Sequence, residues 1–249
     1  MMEHQKEKIA VILFNLGGPD SLKAVKPFLF NLFYDPAIIA LKNPLRWIVA
    51  KIISAKRAPI AQEIYKQIGN KSPILPETEL QAAALEKLLN QEEGAEYRCF
   101  ITMRYWHPFA HETVKKVQDY NPVKIVLLPL YPQYSITTTG SSLIDWNKNA
   151  KAAGLNTVFR VIKEYPVAEG FIEAHVKNIT DVLSKIEHKE HYRILFSAHG
   201  LPEKIIEAGD PYRDQIEQTC QKIQEKLNHS DCVICYQSRV GPLKWIEPY

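Results

Sequence analysis

The run Ser197-Ala198-His199-Gly200-Leu201-Pro202 holds the residue types that proton transfer and metal ligation require. A long apolar stretch stops at a histidine, small neighbours allow close approach, and a proline resets the chain direction. Imidazole changes charge near neutral pH and is the commonest metal ligand, so His199 is placed as a base or a ligand. Other apolar runs end in the same manner. Asn15 closes the first, Arg104, Tyr105 and His107 the second, Tyr131, Gln133 and Tyr134 the third, and Gln237 and Ser238 the last. One polar residue at a strand end is commonly a cap or a turn. Five runs ending this way point to a shared crevice lined by aromatics, an arginine and a histidine.

Three other motifs carry less. Gly17-Gly18-Pro19 could seat a phosphate, but the G-x-G-x-x-G spacing is absent and Pro19 removes a donor. A tight strand-to-helix turn explains it better, and a nucleotide-binding transferase would rest on these glycines alone. Cys232 and Cys235 form a C-x-x-C whose members point to opposite faces of a strand, with no second pair at zinc spacing. They read as buried strand cysteines. His107 and His111 stand four apart, but Pro108 makes His107 a cap and leaves His111 on the first helical turn.

The elements that position these residues follow from hydrophobic pattern. Six short apolar runs occur at Ile9–Leu16, Cys99–Tyr105, Val123–Tyr131, Thr157–Tyr165, Tyr192–Ser197 and Cys232–Tyr236. Several are continuously apolar, as parallel strands covered on both faces are. Helical patterns lie between them, over Leu80 to Leu88, Pro108 to Tyr120, Val167 to Ile186 and Tyr212 to Leu227. The alternation predicts an α/β fold with a doubly wound parallel sheet.

One stretch departs from the alternation. From Pro36 to Gln62 there is no acidic residue, while Lys42, Arg46, Lys51, Lys56 and Arg57 are basic. Leu45, Ile48, Val49, Ile52 and Ile53 repeat at helical spacing within it. Two readings stand: a core-packing helix with a solvated basic face, or a basic lip that meets an anionic apolar ligand or a membrane surface.

Composition limits the classes. The 249 residues include 31 Lys and Arg against 28 Asp and Glu, with 46% hydrophobic and four cysteines. That excludes a disordered chain and a disulfide scaffold, and the even charge balance gives no sign of nucleic-acid binding. The longest charge-free stretch, Ile125 to Ile144, contains two prolines and a Ser/Thr run, so it does not read as a membrane span. The N-terminal apolar run is too short for a signal peptide. A reducing cytoplasm is expected.

At this point the chain resembles the ferrochelatases, which insert ferrous iron into a porphyrin late in haem synthesis. The matching segments are LFNLGGPDS (13–21), QEIYKQIGNKSP (62–73), MRYWHP (103–108), PLYPQYSITTTGSS (129–142), ILFSAHGLP (194–202), GDPY (209–212) and CYQSRVGPLKW (235–245). They lie in family order, and the wording is closest to bacterial members. The resemblance implies two Rossmann-like chelatase domains, 1–165 with the basic lip 36–62, and an incomplete second domain, 166–249. It implies that His199 is the catalytic base and metal ligand. Arg104, Tyr105 and Tyr131 resemble pocket residues, Tyr65 and Ser72 resemble entrance residues, and Arg57 a propionate partner. Leu16 corresponds to a side chain packed on the porphyrin face, and Trp245 to an aromatic of the pocket wall.

The resemblance further implies porphyrin and Fe(II) as substrates, protoporphyrin IX in particular, with no permanently bound cofactor and no nucleic-acid partner. Ile136 stands where animal members carry an iron–sulfur cysteine, so no cluster is expected. Peripheral contact with the inner membrane through 36–57 fits an acidic, poorly soluble substrate. Family members continue with further strands and an S-E-H-x-E-T-L segment facing the histidine, whereas this chain stops at Tyr249. The expectation is a truncated member with weak or no turnover that still binds porphyrin.

Overall fold

The computed structural model describes residues 6–186, 192–229, 231–239 and 243–248. The chain divides into two compact units: residues 1–131 with 136–163, and residues 132–135 with 164–249.

The first unit is built on β1 (Glu7–Asn15), β2 (Ala95–Met103), β3 (Lys124–Pro129) and β4 (Phe159–Val161), all parallel in the order β2-β1-β3-β4. Strand β1 lies inside the sheet, with Glu7 opposite Ala95 and Ile9 opposite Lys124. That position explains its sequence. Every residue from Ile9 to Phe14 is buried, because both faces are covered.

On one face Ala10, Ile12 and Phe14 pack against α4 (Ala110–Tyr120) and α5 (Ser141–Ala152), through Ala110, Val114, Val117, Trp146 and Ala150. On the other, Val11 and Leu13 meet Ala82 of α3 (Ile74–Leu89), with Leu85 and Leu89 beside them. Strand β2 pairs on one side only, and side chains close its other edge. The Tyr97 N–H donates to Asn90 Oδ1 at 2.9 Å, Asn90 Nδ2 donates to the Tyr97 carbonyl at 2.8 Å, and the Cys99 N–H donates to Glu86 Oε2 at 2.7 Å.

Two further helices, α1 (Val25–Tyr34) and α2 (Leu45–Gln67), form a third core with Tyr105. Here the expected apolar stripe is corrected. The buried line of α2 is Ala50, Ser54 and Ala58, whereas Leu45, Ile48 and Ile52 are exposed and Val49 and Ile53 half-buried. Helix α1 presents Val25, Phe28, Leu29, Leu32 and Phe33 to this core. Bulk on one helix is matched by small residues on the other. The α3 helix also begins earlier than its pattern suggests, at Ile74, and the run 157–165 yields a strand of only three residues.

The second unit contains α6 (Glu169–Leu183), β5 (Ile194–His199), α7 (Glu203–Glu207), α8 (Tyr212–Leu227) and β6 (Cys232–Gln237). Strands β5 and β6 are parallel, with Ile194 opposite Cys232 and His199 opposite Gln237. Phe196, Ala198, Ile234 and Tyr236 face Ile216 and Cys220 of α8, together with Leu201 and Ile246. Residues 132–135 join this unit by hydrogen bonds: Gln133 Nε2 to Thr219 Oγ1 at 2.8 Å, the Tyr134 N–H to Gln215 Oε1 at 2.7 Å, and Ser135 Oγ to Asp210 Oδ2 at 3.0 Å.

Trp146 is the largest fully buried side chain, set edge-on to Phe14 with ring centroids 5.8 Å apart. Trp146→Ala is expected to lower the free energy of unfolding by about 3–5 kcal/mol. Urea denaturation followed by circular dichroism measures this, and a loss well under 1 kcal/mol would show that α5 does not depend on this contact.

Candidate active site

In the first unit the site grows from the carboxyl ends of β1 and β2. Beyond the paired strands the ladder continues, with the Arg104 N–H on the Asn15 carbonyl and the Tyr105 N–H on the Leu16 carbonyl, both at 2.9 Å. Asn15 Oδ1 accepts from the Leu16 N–H at 2.8 Å, and its Nδ2 donates to Thr78 Oγ1 at 3.0 Å, which ties the strand end to α3. Leu16, Arg104 and Tyr105 are thus neighbours by backbone pairing.

The glycines after β1 form a turn. Gly17 has φ +84°, and a Cβ there would meet the Trp106 backbone nitrogen at 3.0 Å and Met103 Cβ at 3.1 Å. A Cβ on Gly18 would overlap the Ser72 side chain. The Ser72 N–H in turn donates to the Pro19 carbonyl at 2.8 Å. These contacts account for both glycines through close packing of backbone and side chains.

Around Arg104 the structure shows a carboxylate that the sequence reading missed. Asp35 is only 3% exposed. Its Oδ2 pairs with Arg104 Nη2 at 2.8 Å and accepts from the Tyr105 hydroxyl at 2.8 Å and from the Ser141 hydroxyl. Its Oδ1 accepts from the Ala37 N–H at 2.8 Å. Ser141 Oγ also accepts from Arg104 Nε at 2.7 Å. Burial, then the nearby Asp35 charge, pushes the Tyr105 phenol far above its ordinary range. It is therefore a permanent donor at neutral pH. Asp145 on α5 is pushed upward by burial, with Arg104 pulling the other way. A signal existed for Asp35: it is the only acidic residue between Asp20 and Glu63.

The other expected residues of this unit divide. Tyr65 and Leu16 are half-buried against the same cluster as Tyr105. The Tyr131 hydroxyl lies 3.5 Å from Ser142 Oγ, and burial raises its phenol strongly. Arg57 stands apart from the Asp35 network on the exposed side of α2, its guanidinium 5.9 Å from the Phe33 ring centroid.

In the second unit His199 ends β5 and is exposed. Its Nδ1 lies 2.7 Å from the Gly200 carbonyl oxygen. A carbonyl only accepts, so Nδ1 carries the proton and the neutral ring keeps its lone pair on Nε2. The backbone behind it is tightly held. The Gly200 N–H donates to the Gln237 carbonyl at 2.7 Å, and a Cβ on Gly200 would approach that oxygen at 3.1 Å and the Trp245 ring at 3.3 Å. Trp245 is fixed by a bridge to Pro202 and by the Ile246 N–H on the Leu201 carbonyl at 3.0 Å. Val240, Gly241 and Pro242 of the 235–245 motif lie outside the described residues.

The remaining motifs have structural explanations. Glu112 accepts from the Phe109 N–H at 2.6 Å and pairs with His107 Nδ1 at 2.9 Å, so Phe109, not His107, caps α4. Burial pushes the Cys220 thiol up to about 12 and the Cys232 thiol upward, which keeps both as thiols. They line a groove of about 490 Å³ with Phe196, Glu217 and Val233, at the end of β5 and β6 remote from His199.

Replacing Gly200 by Ala is expected to displace the Nδ1 acceptor of His199 through contacts with Gln237 and Trp245. A melting temperature lowered by several degrees, about 1–2 kcal/mol of stability, is the expected result. Unchanged melting would show that the site yields without cost.

The ferrochelatase family model matches residues 8–249. A ferrochelatase of Wolbachia sp. subsp. Drosophila simulans (strain wRi) is 54% identical over 243 residues, 97% of this chain and 77% of that protein. One from Pelagibacter ubique (strain HTCC1062) is 52% identical over 97% of this chain and 70% of its own length. One from Rickettsia bellii (strain OSU 85-389) is 52% identical over 99% of this chain and 68% of its own length.

Proposed function

The chain belongs to the ferrochelatase family, and on that premise we propose that it inserts Fe(II) into protoporphyrin IX, with His199 accepting the pyrrole protons and meeting the metal. Metallation replaces two pyrrole N–H protons by one ferrous ion, so protohaem and two protons leave for each iron bound. The carrying observation is the orientation of His199: donation from Nδ1 to the Gly200 carbonyl leaves Nε2 as the basic nitrogen. Iron enters as substrate, and the proposed reaction needs no resident cofactor.

The other roles follow from chemistry. Leu16, Tyr131 and Trp245 offer apolar and aromatic surface to the macrocycle, and Tyr105 supports Arg104 through Asp35 and ring contact. Arg104 and Arg57 supply cationic groups for an acidic substrate, with Tyr65 and Ser72 toward the entrance. Binding the rest of the ring offsets the distortion that exposes its nitrogen lone pairs.

The α2 region supports peripheral contact with an anionic membrane surface. Leu41, Leu45, Trp47, Ile48 and Ile52 are all exposed, alongside Lys42, Lys51 and Lys56. No helix among the described residues is long and apolar enough to cross a membrane. A cytoplasmic enzyme touching the inner membrane at this lip suits a poorly soluble substrate.

Two measurements test the reading. In anaerobic steady-state metallation by the purified chain, His199→Ala is expected to lower kcat by about 10²–10⁴ while the Soret shift on porphyrin titration persists. Wild-type turnover in the variant would overturn the assignment, and a wild-type chain that binds porphyrin without turnover would leave it a binding fragment. Sedimentation with vesicles containing anionic lipid should recover the wild-type chain and lose about tenfold in affinity for Trp47→Ser combined with Ile48→Ser. Equal recovery of both would remove the membrane contact.

A further inference from the structure

Arg104 is held by groups from distant parts of the chain. A guanidinium carries five N–H groups, and the protein engages two of them, Nη2 with Asp35 at 2.8 Å and Nε with Ser141 at 2.7 Å. The other three have no partner among the described residues. The side chain retains 19% exposure, so Arg104 is not sealed in the core. The Asp35 carboxylate that holds it is itself engaged by four groups: Arg104, Tyr105 and Ser141 meet Oδ2, and the Ala37 N–H meets Oδ1. Its site at the end of α1 is buried, so the acid is removed from solvent. What it can do is fix its neighbour.

We propose that Asp35 is a positioning residue: with Ser141 it clamps Arg104 by the Nη2 and Nε groups, so that the remaining guanidinium donors meet the porphyrin in one orientation. An unclamped arginine would have to lose rotamer freedom on each binding event. The clamp removes that loss, so the porphyrin meets an oriented donor set. The role rests on the reading that Arg104 lines the substrate pocket.

The experiment is a double-mutant cycle in the full 249-residue chain, using Asp35→Asn, Arg104→Met and both together. Porphyrin affinity from Soret titration, and kcat/KM for metallation where turnover is present, are the readouts, with thermal melting alongside. Asp35→Asn is expected to weaken affinity about tenfold or more, and to have no further effect in the Arg104→Met background. A structural role alone would lower the melting temperature in both backgrounds and reduce affinity additively, which overturns the proposal. Arg104→Met with unchanged affinity and turnover would remove the premise. An impaired Arg104→Met beside an unimpaired Asp35→Asn would remove only the positioning role. Should Asp35→Asn fail to fold, Ser141→Ala tests the other side of the clamp: a loss of about threefold to tenfold, again absent with Arg104→Met, is expected, and no loss overturns the clamp.

Discussion

A carboxylate removed from water persists as an anion only where charge and hydrogen bonds replace its hydration. At Asp35 those replacements come from Arg104 and Tyr105 past the end of β2, from Ser141 at the start of α5 and from the Ala37 backbone. The end of α1, the end of β2 and the beginning of α5 therefore cannot shift independently. Loss of one donor leaves a buried, partly unmet charge, which is far more costly than loss of the same contact at the surface. Arg104 and Tyr105 both meet this one charge.

The second unit solves the same problem of orientation without a buried ion. Its histidine is exposed, and what fixes the ring is a backbone carbonyl one residue away. That carbonyl belongs to Gly200, where an added Cβ would crowd the Gln237 carbonyl and the Trp245 ring. Arg104 is held by a buried ion pair, His199 by a hydrogen bond to a closely packed backbone carbonyl. Both devices place a polar group at the carboxyl end of a parallel strand, where backbone ladders stop and side chains take over.

Much of this was legible beforehand. The continuous apolar stretch at Ile9–Phe14 announced a strand buried on both faces, and the structure covers it with α4 and α5 on one side and α3 on the other. The glycine pair after β1 was readable as a turn, and the geometry of Gly17 and Gly18 gives the reason. In α2 the periodic apolar residues are not the buried line, because periodicity reports only the helix that carries it. Ala50, Ser54 and Ala58 became the buried line because α1 brings Phe28 and Leu29 to meet them, and that partnership has no local signature.

By itself the sequence determined the α/β class, most strand positions and the family. These depend on local pattern and on motif identity, which survive without coordinates. Only the tertiary structure decided that Asp35 joins Arg104 across 69 positions of sequence, that His199 keeps its lone pair on Nε2, and that the large apolar side chains of α2 face outward. Each of those depends on which distant groups share a few ångströms of space, and burial then sets how strongly they act on one another.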